Sequence, residues 1–569
     1  IINAPPGGPV FYAFLNSFTG DLFLDAKLIS LFCGTGIVFF SYYIIRNIFS
    51  AKIALVGQLF VVFSPRIGII SIQTVNEIIP IFLIFISFYH ITKKQLKLSN
   101  MIIIGTLLGI AFMFRYQSLF VLLAIMVFLL IHNKKIRVNL LYVVTVILFF
   151  VAAASPLFLY NYYTYGKLID SNPNFDYIYK SKYKTHELIE EFKQKIVHKE
   201  PTAIFNDPNI FLQNYFYNLF YHNPNKLFNF NSISNISTIP TIPFLGLIPT
   251  FGALIYLLKI KLDKKNLAVL VGVFFGTLLP ILLLGDISIH FFALFIIPMI
   301  SLVILNFKKI DNNLQPILIA AAIFLTLISI IPVSKADHLL PSWIVFPALS
   351  SLFFIEVIPK IISKTRKTSQ IRIANSIPII LLVIVLVLNF GHSYKSTENY
   401  LYEGTYGGSI IGEIFESFKQ HEPRQPTGLE EKKIGDVLAA QPGIETSYIM
   451  TTSVIVGQYS HGKILFARFE EGVRNDTIEN YITRKNWSDF DLFLSNLDSH
   501  PSNMMNIHKP MPDYLVYESS PDISSITRND TQYENLKILS DPTNPEIPSN
   551  FELLYKSDKT EAVVYKIHH

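Results

Sequence analysis

The sequence predicts a polytopic α-helical membrane protein of about 12 spans with a C-terminal outer α/β domain. Three observations predict it. Of the 569 residues 51% are hydrophobic and only 15% charged, with mean hydropathy +0.42; a soluble chain of this size carries about 25% charge. Apolar segments alternate with short loops in which basic residues fall on every second loop. From about residue 393 the chain becomes more polar and its periodicity changes.

The apolar segments are 28–46, 52–70, 78–92, 101–114, 118–132, 139–159, 241–258, 267–284, 290–307, 315–332, 343–359 and 376–392. Several fall short of the roughly 20 residues that a perpendicular span needs. Those between 80 and 130 are expected to borrow neighbouring polar residues or to thin the bilayer locally.

Orientation follows from charge. Alternate loops carry Arg46 and Lys52, then Lys93, Lys94 and Lys97, then Lys134, Lys135 and Arg137. Further along the same side come Lys259, Lys261, Lys264, Lys265, Lys308 and Lys309, and finally Lys360, Lys364, Arg366, Lys367 and Arg372. The short loops and initial segment opposite hold only Lys27, Arg66, Arg115 and Lys335. The positive-inside rule makes the first set cytoplasmic. Both termini are then outside, as an even number of spans requires. Ile1 is not Met and no signal peptide precedes it, so an upstream helix is expected to place the N-terminus outside.

Residues 1–392 therefore read as the transmembrane part, with outer pieces at the start, to about residue 27, and in a large outer loop, 160–240. The loop opens on Tyr160, Tyr162, Tyr163 and Tyr165, suited to the headgroup level. Its aromatic stretch 211–221 is expected to lie on the membrane or under the tail rather than to cross. Residues 393–428, with Pro423, Pro426 and Gly428, read as a linker to an outer α/β domain at 429–569. There Glu430–Ala440 reads as a helix, and 447–451, 463–467, 513–517 and 561–565 as strands. Sequons at Asn235, Asn475, Asn486 and Asn529 all fall on the outer side.

Other classes fit poorly. The formal charge of +6 is accounted for by the topology lysines, not by a nucleic-acid surface. Cys33, alone and in an apolar run, reads as packing. No Walker loop or nucleophile elbow occurs, and His198, His222, His568 and His569 lack metal spacing. Abundant Ile, Lys and Asn suggest an AT-rich genome and a bacterial or archaeal cell membrane.

Ionisable groups at membrane depth are costly, and they mark function by default. Here they gather at the outer ends of the spans: Arg66, Glu77, Arg115, Asp286 and His290, with Asp337 and His338 nearby in sequence. A lipid-linked sugar phosphate needs cations near the headgroups, and Arg offers a bidentate fork. Its acceptor needs an acid to take a proton. Arg66 and Arg115 suit the first role; Glu77, or Asp286 with His290, suits the second or a metal. Plainer readings stand beside these: snorkelling arginines, a Glu77–Arg66 pair, an interfacial histidine.

Four stretches resemble the GT-C superfamily of membrane glycosyltransferases, in the branch of dolichyl-phosphate-mannose–protein mannosyltransferases and aminoarabinose transferase-like proteins. They are Pro5-Pro6-Gly7-Gly8-Pro9-Val10-Phe11-Tyr12 with Phe18-Thr19-Gly20; Arg46–Ala54 followed by Ser64-Pro65 and Thr74-Val75-Asn76-Glu77; Gly105–Ala111 ending at Arg115; and Ser155-Pro156 through Asn161 to Gly166. The resemblance covers about residues 1–170, and 240–400 by architecture alone. It implies a polyprenyl-phosphate-linked sugar donor, an outward-facing site, an extracytoplasmic acceptor (protein, glycan or lipid), and often a divalent metal, Mg or Mn. It implies Glu77 as the family's second acid, Arg66 and Arg115 as donor-side cations, and Tyr12 and Asn161 as further substrate-binding groups.

Two departures accompany it. The family's first acid lies upstream of the double proline, and this sequence starts only four residues before Pro5. His290 also stands where relatives carry Arg or Lys. A non-catalytic envelope scaffold is the competing reading; a secondary transporter fits less well, since the polar groups sit at one end of the spans and no repeat is visible.

Overall fold

The computed structural model describes residues 5–73, 77–132, 136–166, 168, 212, 215–228, 247–258, 264–284, 287–330, 336–365, 371–403, 429–451, 454–466, 512–517, 537–545, 547, 549–558 and 562–568. Two compact units are present: a helical one formed by 2–397 with 407–419, and a smaller one formed by 398–406 with 420–569.

The helical unit is that of a membrane protein. Its first eight helices are α1 (Gly7–Thr19), α2 (Leu22–Ile48), α3 (Ala51–Val62), α4 (Pro65–Ile72), α5 (Ile78–Ile91), α6 (Leu98–Phe114), α7 (Ser118–His132) and α8 (Ile136–Tyr165). After a π-helical turn, Asn218–His222, come α9 (Asn223–Phe228), α10 (Leu247–Leu257), α11 (Lys264–Leu284), α12 (Ile287–Asn306) and α13 (Gln315–Ile328). The last are α14 (Leu340–Trp343), α15 (Val345–Leu352), a π-helical turn Phe353–Val357, α16 (Ile358–Thr365) and α17 (Ile371–Glu403). Four stretches are long and apolar enough to cross a bilayer by length and composition: Leu24–Ile48, Ile136–Thr164, Leu340–Ile362 and Ser376–Glu398. The pair α3 and α4 passes that test as one bent span, and seven shorter apolar helices complete the set found among the described residues.

Three details differ from the sequence reading. The first 27 residues were expected as an outer loop, yet Gly7–Thr19 is helical; Gly20, at φ 73°, ends it in the left-handed conformation that glycine adopts freely. The segment 52–70 is broken: α3 and α4 meet at 58°. Ser64 precedes Pro65, which bars it from helical geometry, so it turns extended and its hydroxyl caps α4 at Ile67 N. The exit at Ser155-Pro156 is also later than expected, because α8 carries Pro156 inside it and runs to Tyr165.

The apolar core joins α2, α3, α5, α6, α7, α8 and α13 with α14 and α15 around Phe85, Phe112, Phe128, Phe324 and Trp343. Glycine sets the closest packing. A Cβ on Gly105 would lie 2.5 Å from the Val146 carbonyl oxygen and one on Gly109 2.5 Å from that of Phe150, so α6 and α8 touch backbone to backbone. In and just after the aromatic stretch expected on the membrane or under the tail, Asn218 and Asn223 donate to the carbonyl and hydroxyl of Ser329, next to the end of α13, at 3.2 and 2.9 Å.

The smaller unit holds a five-stranded mixed sheet of β1 (Tyr448–Thr451), β2 (Lys463–Phe466), β3 (Tyr514–Tyr517), β4 (Phe551–Lys556) and β5 (Val563–Ile567), in the order β2-β1-β3-β5-β4. β1 runs parallel to β2 and β3, while β5 is antiparallel to β3 and β4. Helices α18 (Leu429–Ala439) and α19 (Val454–Ser460) cover one face through Ile434, Leu438 and Val456. Gly435 admits their contact: a Cβ there would lie 2.6 Å from that of Tyr459. The four sequons lie outside the described residues.

Candidate functional site

Chain direction brings the start of α2, the ends of α4, α6 and α8, and the starts of α5 and α7 to one end of the helical unit. Side-chain and backbone contacts tie several of them together. α6 stops at Phe114, and Arg115 turns extended at φ −152° and ψ 124°. Its carbonyl accepts from the Ser118 amide at 3.3 Å and the Ser118 hydroxyl at 2.9 Å, which fixes the tight turn into α7. That turn points the Arg115 guanidinium at Glu77, the residue that opens α5, and the two form an ion pair. Both are largely screened from solvent, with side chains 24% and 14% exposed. The pair is therefore less screened than a surface salt bridge, and removing one partner strands the other. Glu77 also sits at the positive end of the α5 dipole, which favours its charge.

α1 closes over this junction. A Cβ on Gly7 would stand 2.3 Å from the Met113 carbonyl oxygen, so the helix meets α6 at a distance only glycine allows. Phe11 then packs edge-on against Phe114, with centroids 5.9 Å apart. From the other side, Lys27 of α2 donates to the carbonyl of Ile72 at 2.5 Å. A cation thus holds the last carbonyl of α4, four residues before Glu77's neighbour Asn76.

The expected site residues fall out unevenly. Glu77 and Arg115 come together. Arg66 does not join them: it lies in the first turn of α4, 7% exposed, rather than in an outer loop, and the Glu77 carboxylate pairs with Arg115 instead. The cause is the Ser64-Pro65 break, which starts a new helix at the point where a loop was expected. Tyr12 is buried, its hydroxyl facing Ser30 and Cys33 of α2. Asn161 is 2% exposed and donates to the Leu168 carbonyl at 3.1 Å and to the Tyr116 hydroxyl at 3.5 Å. Its contact with the site runs through Tyr116, the residue next to Arg115. Asp286 lies outside the described residues, as do the side chains of His290 and Asp337.

Sequence reasoning did not reach Tyr116 or the capping role of Lys27. Lys27 stood out as one of four cations on the sparse side, but nothing in its neighbours named Ile72 as its partner. Among the described residues no three His, Cys, Asp or Glu side chains converge, and one Glu77 oxygen is taken by Arg115. These residues do not by themselves make a site for Mg, Mn or another divalent ion.

Residues 3–160 match the model of the family described as dolichyl-phosphate-mannose-protein mannosyltransferase. The match bears out, over the same stretch, the resemblance to GT-C membrane glycosyltransferases read from the sequence. No curated protein matches. Among solved structures, ArnT from Cupriavidus metallidurans bound to undecaprenyl phosphate is similar at TM-score 0.45 and 12% identity, over 99% of this chain and 87% of that one. The archaeal oligosaccharyltransferase AglB from Archaeoglobus fulgidus, in complex with an inhibitory peptide and a dolichol-phosphate, is similar at TM-score 0.45 and 11% identity, over 91% of this chain and 62% of that one.

Proposed function

We propose that the chain is a membrane glycosyltransferase that moves a sugar from a polyprenyl-phosphate-linked donor to an acceptor hydroxyl or amide. The observation that supports this reading best is the screened Glu77–Arg115 pair, set between α5, α6 and α7 inside the stretch that matches the mannosyltransferase family. An arginine held in this way at the end of apolar helices suits a phosphate on a lipid tail.

In the proposed reaction the acceptor oxygen or nitrogen attacks the sugar C1, and the bond from C1 to the phosphate oxygen breaks. The electron pair leaves with the phosphate, whose charge grows by one. Arg115, a planar delocalised cation at the end of apolar helices, stabilises that growing charge. Glu77 spends Oε1 on orienting Arg115 and has Oε2 to receive the acceptor proton. Arg66, Tyr12 and Asn161 serve at one remove, by shaping the helix ends. The distribution of basic loops supports an extracytoplasmic site end in a chain read as having about 12 spans.

The test is reconstitution of the full-length protein in liposomes with radiolabelled polyprenyl-phosphate sugars, with release of polyprenyl phosphate as the readout. The reading requires turnover of at least one donor and its loss in Arg115→Ala. If no donor in bacterial or archaeal lipid extracts is consumed, the reading fails.

A further inference from the structure

α1 and the start of α2 form a helical hairpin. Gly20 makes the turn, and Asp21 caps α2 by accepting from the Leu24 amide at 3.0 Å. Thr19 donates to Asp25, while Tyr12, two turns earlier, faces Ser30 and Cys33, so α1 runs back along α2. One side of α1 is spent on protein contacts through Gly7, Gly8 and Tyr12. The opposite side presents Val10, Phe14 and Phe18, spaced i, i+4, i+8 and 65%, 61% and 74% exposed. Phe14 and Phe18 pack edge-on at 5.1 Å, forming one continuous aromatic surface.

Water is a poor cover for such a stripe, since each large apolar side chain left exposed forgoes about 1.5–3 kcal/mol. No Asp, Glu, Lys or Arg occurs before Asp21 to solvate the helix. α2 likewise presents an apolar face, on which Leu24, Leu28, Leu31 and Phe32 are all more than half exposed. That face belongs to the span Leu24–Ile48.

We infer that the α1–α2 hairpin is immersed in the lipid leaflet on the Glu77 side, with acyl chains covering Val10, Phe14 and Phe18. Lipid thereby presses Gly7 and Phe11 onto the end of α6. This surface depends on the membrane character of the helical unit and not on the transferase reading.

The chain's single cysteine makes a direct test possible. In full-length Cys33→Ala protein in phosphatidylcholine–phosphatidylglycerol liposomes, nitroxide labels are placed by Val10→Cys, Phe14→Cys and Phe18→Cys. Phe32→Cys serves as lipid reference and Asp558→Cys as water reference. Collision with oxygen and with a water-soluble nickel chelate is measured by power saturation. Immersion predicts oxygen collision several-fold above nickel at all three positions, near the Phe32 value. Nickel exceeding oxygen would assign the stripe to water, and low collision with both would assign it to a protein cover; either overturns the inference. Ser17→Cys, on the same exposed face, reports if a phenylalanine variant misfolds.

Discussion

Arg115 and Glu77 stand 38 residues apart in sequence and share one ion pair where α5, α6 and α7 meet. Residues that act as a unit give non-additive effects when removed. Arg115→Ala and Glu77→Ala are each expected to lower kcat/KM for donor consumption by about 10²-fold, the scale of losing one charge-stabilising contact. The double variant should fall little further than either single one. Arg115→Lys should recover part of the loss, because lysine keeps the charge without the planar fork. Steady-state transfer rates of the four variants decide it: effects that simply multiply would mean the two residues act separately.

Two glycines separate close approach from open surface. Gly7→Ala places a Cβ 2.3 Å from the Met113 carbonyl oxygen, so α1 must lift from α6. It is expected to lower thermal stability in detergent and transferase activity together. Gly272, in α11, has nothing within 4 Å of the same atom. Gly272→Ala should be neutral or stabilising by up to about 1 kcal/mol through helix propensity. Equal melting temperatures for the two variants would contradict the Gly7–Met113 contact.

The apolar segments were legible because burial in lipid or in a helical core imposes one constraint over many consecutive residues. Hence 78–92, 101–114 and 118–132 coincide closely with α5, α6 and α7. Breaks were less legible: Ser64-Pro65 was read as a family mark, and only local geometry shows that it starts a new helix. The site was half legible. Glu77 and Arg115 could be named singly, as charges at span ends, but a partner 38 residues away depends on how α5 meets α6. The plainer reading, a Glu77–Arg66 pair, followed nearness in sequence, whereas the Glu77 carboxylate pairs with Arg115. In the smaller unit, β1, β2, β3 and β5 fall on stretches read as strands, whereas β4 escapes. Its run Phe551-Glu552-Leu553-Leu554-Tyr555-Lys556 lies at the sheet edge, shifts register between Leu553 and Tyr555, and lacks clean alternation.

Lys27 tests whether α4 helps to hold the site. Its ammonium donates to the Ile72 carbonyl, so Lys27→Met leaves that carbonyl without this donor and the helix end without its charge. A charged hydrogen bond of this kind contributes about 1.5–3 kcal/mol. Lys27→Met is expected to lower the melting temperature and to loosen the connection that leads to Glu77. Lys27→Arg should restore both. The discriminating measurement is hydrogen exchange at the first amides of α5, which should quicken in Lys27→Met alone. Exchange unchanged there would confine Lys27 to ordinary packing.

Tyr565 gives the smaller unit an alkaline limit. The side chain is buried, and its hydroxyl donates to the Leu539 carbonyl at 2.5 Å. Burial, reinforced by the nearby Asp541 charge, pushes the phenol above its ordinary value of about 10. The folded unit therefore holds this proton more tightly than the unfolded chain does. The stabilisation is complete below pH of about 10, where both states are protonated. It is lost as pH rises from there toward the folded-state value, because the unfolded chain ionises first. Tyr565→Phe removes the titration but leaves the Leu539 carbonyl without this donor, at a cost of about 1 kcal/mol near pH 8. Proteolysis of the segment 429–569 in the full-length protein, followed from pH 8 to pH 11, should be slower in wild type at pH 8. The difference should shrink through the alkaline range as the tyrosine loses its advantage. A constant difference across the range would show that Tyr565 ionises alike in both states, and that its role is the hydrogen bond alone.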